Sequence, residues 1–296
     1  MRWLAVEVFK LRRMRVTWVL LLIMVAFEAL MIAAMAYWVE TSPDARKIAA
    51  EEREQAVAAT SFPGSIPSTL SFIASLGPLF AIILAARLAG DEYAWGTAKQ
   101  LVSMGMGRQA YVASKLAGAT AGCLFLLAGG LLGGAVVSLI VTAALGRAAD
   151  LDALTLSFLA QVAQGAGIAW FVLVLYSALT VCVAGAARSS ATATAICILV
   201  FLLEGSLVGS LATRFAAVAK IAPYTIGYNV NRLAAVIERG GFSQAAEATQ
   251  AQGQAAVTSA ASAAGVAGAF VVLGVWLAVF VLCSFRIFSR QELGTD

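Results

Sequence analysis

The chain has 296 residues, of which 61% are hydrophobic and 12% charged, with a mean hydropathy of +0.89. A soluble domain carries about 25% charged residues, so half that share over this length excludes an ordinary soluble enzyme and points to a polytopic membrane protein. There is no His, which excludes a His-ligated zinc or haem and any Ser-His or Cys-His catalytic pair; the net charge of +4 is spread along the chain, with no basic soluble face to dock nucleic acid.

Residues 1–15 read as a cytosolic interfacial helix. Leu4, Val8 and Leu11 recur at helical spacing, while Arg2, Lys10 and Arg13 can lie toward lipid headgroups. The basic start, apolar run and Ala34-Met35-Ala36 also suggest a signal peptide. The apolar run exceeds a 7–15-residue signal core, so an uncleaved first span is the better reading.

A spanning helix needs roughly 20 apolar residues to cross about 30 Å of hydrocarbon. Six segments qualify: Val16–Val39, Leu70–Ala89, Leu116–Leu145, Phe158–Ala184, Ala191–Ala212 and Ala263–Phe288. The expected fold is therefore an all-α integral membrane protein with six transmembrane helices in a single domain, 1–296. With both termini in the cytoplasm, inner segments hold twelve basic and five acidic residues, and outer segments eight and nine. That bias fits the positive-inside rule, despite four basic residues in the outer loop after the fifth span. The outer segments are 40–69 and 213–262. Pro43–Ala59 suits a short surface helix. In 213–262 a short helix or re-entrant element up to Arg239, a turn at Gly240-Gly241 and a polar, Gln/Ala-rich helix are expected.

Two ionisable residues fall well inside spans, Glu28 and Glu204. Each is expected near the midplane, facing protein or water. They either line a substrate route that favours cationic or amphipathic cargo, or are protonated and hydrogen-bonded to a neighbouring helix. The third span carries the GxxxG pairs Gly118/Gly122, Gly129/Gly133 and Gly130/Gly134, which allow close helix contact within the chain or between copies. Pro78 can kink the second span, and Arg87 can snorkel from its inner end. Cys123, Cys182, Cys197 and Cys283 lie in apolar runs without CxxC spacing and read as buried hydrophobes. No cofactor or metal site is expected, and the chain lacks a Gly-x-x-x-x-Gly-Lys-Ser/Thr phosphate loop.

Between the second and third spans, residues 90–115 form a compact polar segment. It holds Gly90, Asp91, Glu92, Tyr93, Trp95, Gly96, Thr97, Lys99 and Leu101, then Gly105, Gly107 and Arg108, and finally Lys115. A helix starting near Asp91 would have carboxylates in its first turn and Lys99 near its end, both favourable with the helix dipole. Tyr93, Trp95 and Leu101 would give it apolar area for docking, and Gly105 and Gly107 would turn the chain back. The plainer reading is a passive loop held at the headgroups by its aromatics.

The pattern Gly90-x-Glu92, Gly96-Thr97, Leu101, Arg108 and Lys115 resembles the loop between spans two and three of ABC exporter permeases of the type-2 class. The whole chain is similar in its N-terminal amphipathic helix, span count and long outer segment between spans five and six. The resemblance implies a membrane permease in which Asp91, Glu92, Tyr93, Trp95, Gly96, Thr97, Lys99, Leu101 and Arg108 form a cytosolic coupling helix and its surroundings, touching an ATPase. It implies two ATP-binding subunits as partners, with ATP and Mg held there, and a second permease copy, a homodimer being favoured over a heterodimer. In that class spans two and five border the pathway, which adds Ser71, Ser75, Glu204 and Ser206 to Glu28 as pathway candidates. A non-transporting scaffold and an ion-driven secondary transporter are the alternatives.

Overall fold

In the computed structural model, residues 2–41, 57, 59–105, 107–147, 152, 154–204, 211, 214–238 and 263–290 are described. These residues are helical and turn-linked, with no strand among them. The chain runs α1 (Arg2–Arg13), α2 (Arg15–Thr41), α3 (Ser65–Ala94), α4 (Thr97–Ser103), α5 (Arg108–Ala144), α6 (Leu156–Ala187), α7 (Ser190–Leu202), α8 (Ala216–Ile221), α9 (Ile226–Glu238) and α10 (Ala263–Arg290), with a 3-10 turn at Ala222–Tyr224. Five of the described helices are long and apolar enough to cross a membrane: α2, α3, α5, α6 and α10.

The expected fifth span, Ala191–Ala212, is represented by the shorter apolar α7 and a widened turn at residues 203–204. The remainder of that segment falls largely outside the described residues. So do most of the surface helix expected over Pro43–Ala59 and the Gln/Ala-rich run after Glu238.

Helix α3 is the axis of the bundle. It packs against α2, α5, α6, α7 and α9, and its apolar side chains, such as Leu70, Ile73, Ile82, Leu84 and Leu88, are fully or almost fully buried. Pro78 lies inside α3 without ending it. The other long helices keep lipid-facing surfaces: Leu22, Leu30, Leu132, Val271 and Leu282 are all exposed. That distribution suits apolar solvent, in which exposed leucines cost nothing.

The glycines of α5 pack within the chain. A methyl group built on Gly122 would come 2.9 Å from Leu84, on Gly129 2.5 Å from Leu21, and on Gly130 2.7 Å from Met24. Gly133 faces Val25, and Gly118 faces Glu7 of α1 at 3.0 Å. The absent side chains let α1, α2 and α3 approach the α5 backbone.

Local chemistry sets the helix ends. Thr155 caps α6 by accepting from the Phe158 N–H, and Ser189 caps α7 by accepting from the Thr192 N–H. Arg188 lies between them in the left-handed region, with φ 53°. Asn229, buried in α9, donates to the carbonyls of Pro223 and Thr225 and so fixes the turn that precedes its own helix.

Candidate functional site

The polar segment after α3 is built differently from its sequence reading. Asp91 and Glu92 do not open a new helix; they occupy the last turn of α3, which runs on to Ala94. At that end the helix dipole disfavours negative charge. Nearby cations, one within α3 and two from other helices, offset this, and both carboxylates are buried. Asp91 pairs with Arg87 one turn earlier, at 3.1 Å, so Arg87 serves an ion pair beyond any contact with headgroups.

Glu92 is the hub of a larger cluster. Its Oε1 accepts from Lys115 Nζ at 2.5 Å and from Lys10 Nζ at 2.7 Å, and its Oε2 accepts from the Tyr111 hydroxyl at 2.9 Å. Lys115, only 2% exposed, also donates to Glu7 Oε1 at 2.5 Å. Two lysines thus meet two glutamates, and the group is neutral as a whole. Glu7 and Lys10 belong to α1, Glu92 to α3, and Tyr111 and Lys115 to α5. The cluster therefore locks three helices at one end of the bundle. Phe288 of α10 extends the lock, stacking on Tyr111 with ring centroids 4.6 Å apart and meeting Tyr93 edge-on at 6.5 Å.

Beyond Ala94 the chain reverses twice. Gly96 has φ +69°, a left-handed conformation in which glycine ends helices without penalty. The Thr97 hydroxyl then donates to the Glu92 carbonyl at 3.3 Å, satisfying an acceptor that α3 leaves open. The seven-residue α4 follows, and Gly105, with φ +91°, closes it. Arg108 starts α5 and donates to the Ser289 carbonyl at the end of α10, 3.0 Å away. The glycine at position 90 has a separate cause. A methyl there would stand 2.5 Å from Ser190 Cα and 2.6 Å from its N, so α3 and the first turn of α7 touch backbone to backbone.

The exposed part of the loop is smaller than the sequence suggested. Of the three apolar residues expected to dock a partner, Tyr93 and Leu101 are partly buried against Tyr111, Val112 and Phe288, while Trp95 is 67% exposed. Met104, which the sequence reading passed over, is 74% exposed. The exposed face of the loop thus includes Trp95, Gln100, Ser103 and Met104. Lys99 lies in α4, and its side chain is outside the described residues. Glu7, Lys10 and Tyr111 were also missed as site residues. A signal for Glu7 exists: it falls three residues after Leu4 and four before Leu11, on the stripe assigned to packing. Leu11 is buried with it, whereas Val8 of that stripe is exposed.

Of the pathway candidates, Glu28 and Ser75 border separate clefts. Glu28 sits on the buried stripe of α2 with Leu20, Met24 and Ile32, thirteen residues from either helix end, or roughly 20 Å. Ser71 is buried in α3. Ser75 borders a cleft of about 210 Å³ with Tyr176, Phe201, Gly227 and Asn231. Glu204 lies near that cleft and accepts from the backbone N–H groups of Ile226 and Gly227, the first turn of α9, where a carboxylate favours the helix dipole. Ser206 lies outside the described residues. A charge at the depth of Glu28 costs about 2.5–3.5 kcal/mol on insertion scales.

No cluster of three or more potential metal ligands occurs among the described residues. All four cysteines are free; Cys123 and Cys197 are buried as expected, whereas Cys283 is exposed on α10. What the segment can do is mechanical: an exposed short helix is tied through buried ion pairs to the interfacial α1 and the long α3 and α5.

Residues 3–293 match the family model for the ABC-2 family transporter protein, and the chain belongs to that family. Its members are the membrane components of transporters, are not themselves catalytic, and normally pair with an ATP-binding subunit. A comparison with curated proteins returned no match.

Proposed function

We propose that the chain is the permease subunit of an ATP-driven exporter, in which two copies pair with two ATP-binding subunits. Both termini lie in the cytoplasm, six spans cross the membrane, and α1 rests at the inner interface. α4 and its flanks form the coupling element. ATP and Mg are held by the partner, and closure of the partner subunits presses on Trp95 and Met104. The bundle then shifts between inward- and outward-facing states, a change in populations driven by nucleotide binding.

The observation that carries this reading is the attachment of α4. The loop is short, opens and closes at left-handed glycines, and emerges from the Glu92–Lys115 lock. A load on α4 is therefore borne by α1, α3 and α5 together rather than by a free loop. A passive aromatic anchor would need no buried ion pairs behind it.

Co-purification tests the proposal. The chain, expressed with its genomic neighbours, is purified in mild detergent, and bound proteins and ATPase activity are measured. The expected result is a Walker-A protein that is retained by the wild type and lost with Trp95→Ala/Met104→Ala. A chain that purifies without an ATPase in every nucleotide state would overturn it.

A further inference from the structure

A cleft of about 240 Å³ opens between α2 and α3, walled by Met31, Met35, Thr60, Thr69 and Phe72, with Glu28 in its lining. We propose that this cleft binds a lipophilic monocation, an amine or onium ion with an apolar body, with the Glu28 carboxylate as its counter-ion.

Three observations converge on that chemistry. Glu28 is only 1% exposed, its polar neighbour is the Thr69 hydroxyl, and among the described residues it forms no ion pair. Among the described residues no Lys or Arg lines the cleft. Arg147 touches the Thr60 hydroxyl but is paired with Glu40. A buried carboxylate with no cation beside it among the described residues leaves room for a cation from outside. The walls select what that cation carries. Thioethers of Met31 and Met35 adapt to irregular apolar shapes, and the ring of Phe72, stacked on Phe27 at 5.7 Å, adds an aromatic surface suited to soft cations.

Access is lateral. Met31 and Met35 are half exposed on the outside of α2, so the mouth faces acyl chains rather than water. A hydrophobic cation concentrates there by partition and meets the carboxylate at the depth of the helix midpoint. Gly134 of α5 makes room behind it, since a methyl there would collide with both Glu28 and Thr69.

The inference rests on the reading of Glu28 as a pathway residue for its place in transport, but binding is testable without ATP or partner. The full chain in phosphatidylcholine nanodiscs is titrated with radiolabelled tetraphenylphosphonium. Tetraphenylborate, of the same shape and opposite charge, serves as competitor. The expected result is saturable binding displaced by unlabelled phosphonium and not by borate. At least a tenfold loss is expected in Glu28→Gln, and a similar loss in Met35→Trp, which fills the mouth. Absence of saturable binding, equal displacement by borate, or unchanged affinity in Glu28→Gln would each overturn the proposal. If Glu28→Gln does not fold, unchanged affinity in Met35→Trp overturns it alone. Failure here leaves the ATPase-coupling reading intact, and an absent ATPase would leave the binding result standing.

Discussion

Lys115 on α5 and Glu92 at the end of α3 are joined by a 2.5 Å contact that almost no solvent reaches, and the same ammonium holds Glu7 of α1. Removing one side of a buried pair leaves a stranded charge, which costs about 3–5 kcal/mol. Lys115→Met strands Glu7, leaves Glu92 to Lys10 and Tyr111, and is expected to lower the thermal midpoint in detergent by several degrees. Combining it with Glu7→Gln and Glu92→Gln should recover most of the loss. A midpoint unchanged in Lys115→Met would show that the lock does not hold α1 to the bundle.

The contact between Gly90 and Ser190 gives a cleaner packing test. A methyl at position 90 must displace backbone rather than a flexible side chain. Overpacking of that kind costs about 1–3 kcal/mol. Gly90→Ala should destabilise the protein measurably, whereas Gly167→Ala, with open space around the position, should be neutral or slightly stabilising through helix propensity. Equal midpoints for the two variants would refute the close approach of α3 and α7.

Trp95 and Met104 separate binding from stability. Both are exposed, so their replacement by Ala should leave the thermal midpoint of the isolated chain within about a degree. Exposed aromatics that become interface anchors contribute about 2 kcal/mol or more each. The double variant should therefore weaken association with the ATP-binding partner by well over tenfold, read by titrating the detergent-solubilised complex. Loss of stability without loss of association would place them in the fold instead.

For Glu204, position and charge can be told apart. Glu204→Gln keeps an acceptor for the Ile226 and Gly227 N–H groups and loses only the interaction with the helix dipole, about 0.3–1 kcal/mol. Glu204→Ala removes the cap as well and should cost about 1–2 kcal/mol. Substrate movement in vesicles that is undiminished in Glu204→Gln across the working pH range would remove this residue from the pathway and leave it a cap.

The long helices were legible because each requires only an unbroken apolar run, a property written locally. The turns were legible for the same reason: Gly105 was expected to end a helix and has the left-handed φ that does so. Asp91 and Glu92 were misjudged because local dipole logic places carboxylates at helix starts. Here Arg87 from within α3, and Lys10 and Lys115 from 82 and 23 residues away, override it. The reach of Trp95 was seen, but the burial of Tyr93 and Leu101 depends on Phe288 at the far end of the chain, which no local pattern announces. Glu28 and Glu204 are pathway candidates by depth, and Ser71, Ser75 and Ser206 by the spans that carry them. Depth follows from counting residues; azimuth around the helix does not, and azimuth separates Glu28 from Ser75 and Glu204.

The glycine stripe of α5 has a consequence for self-association. Its groove is already filled by Leu21, Met24 and Val25 of α2 and by Leu84 of α3. A second copy therefore cannot approach along that smooth backbone seam. Any pairing of two chains must mesh through bulky faces, leucines, valines and aromatics that otherwise meet acyl chains, and so competes with lipid for every square ångström it covers.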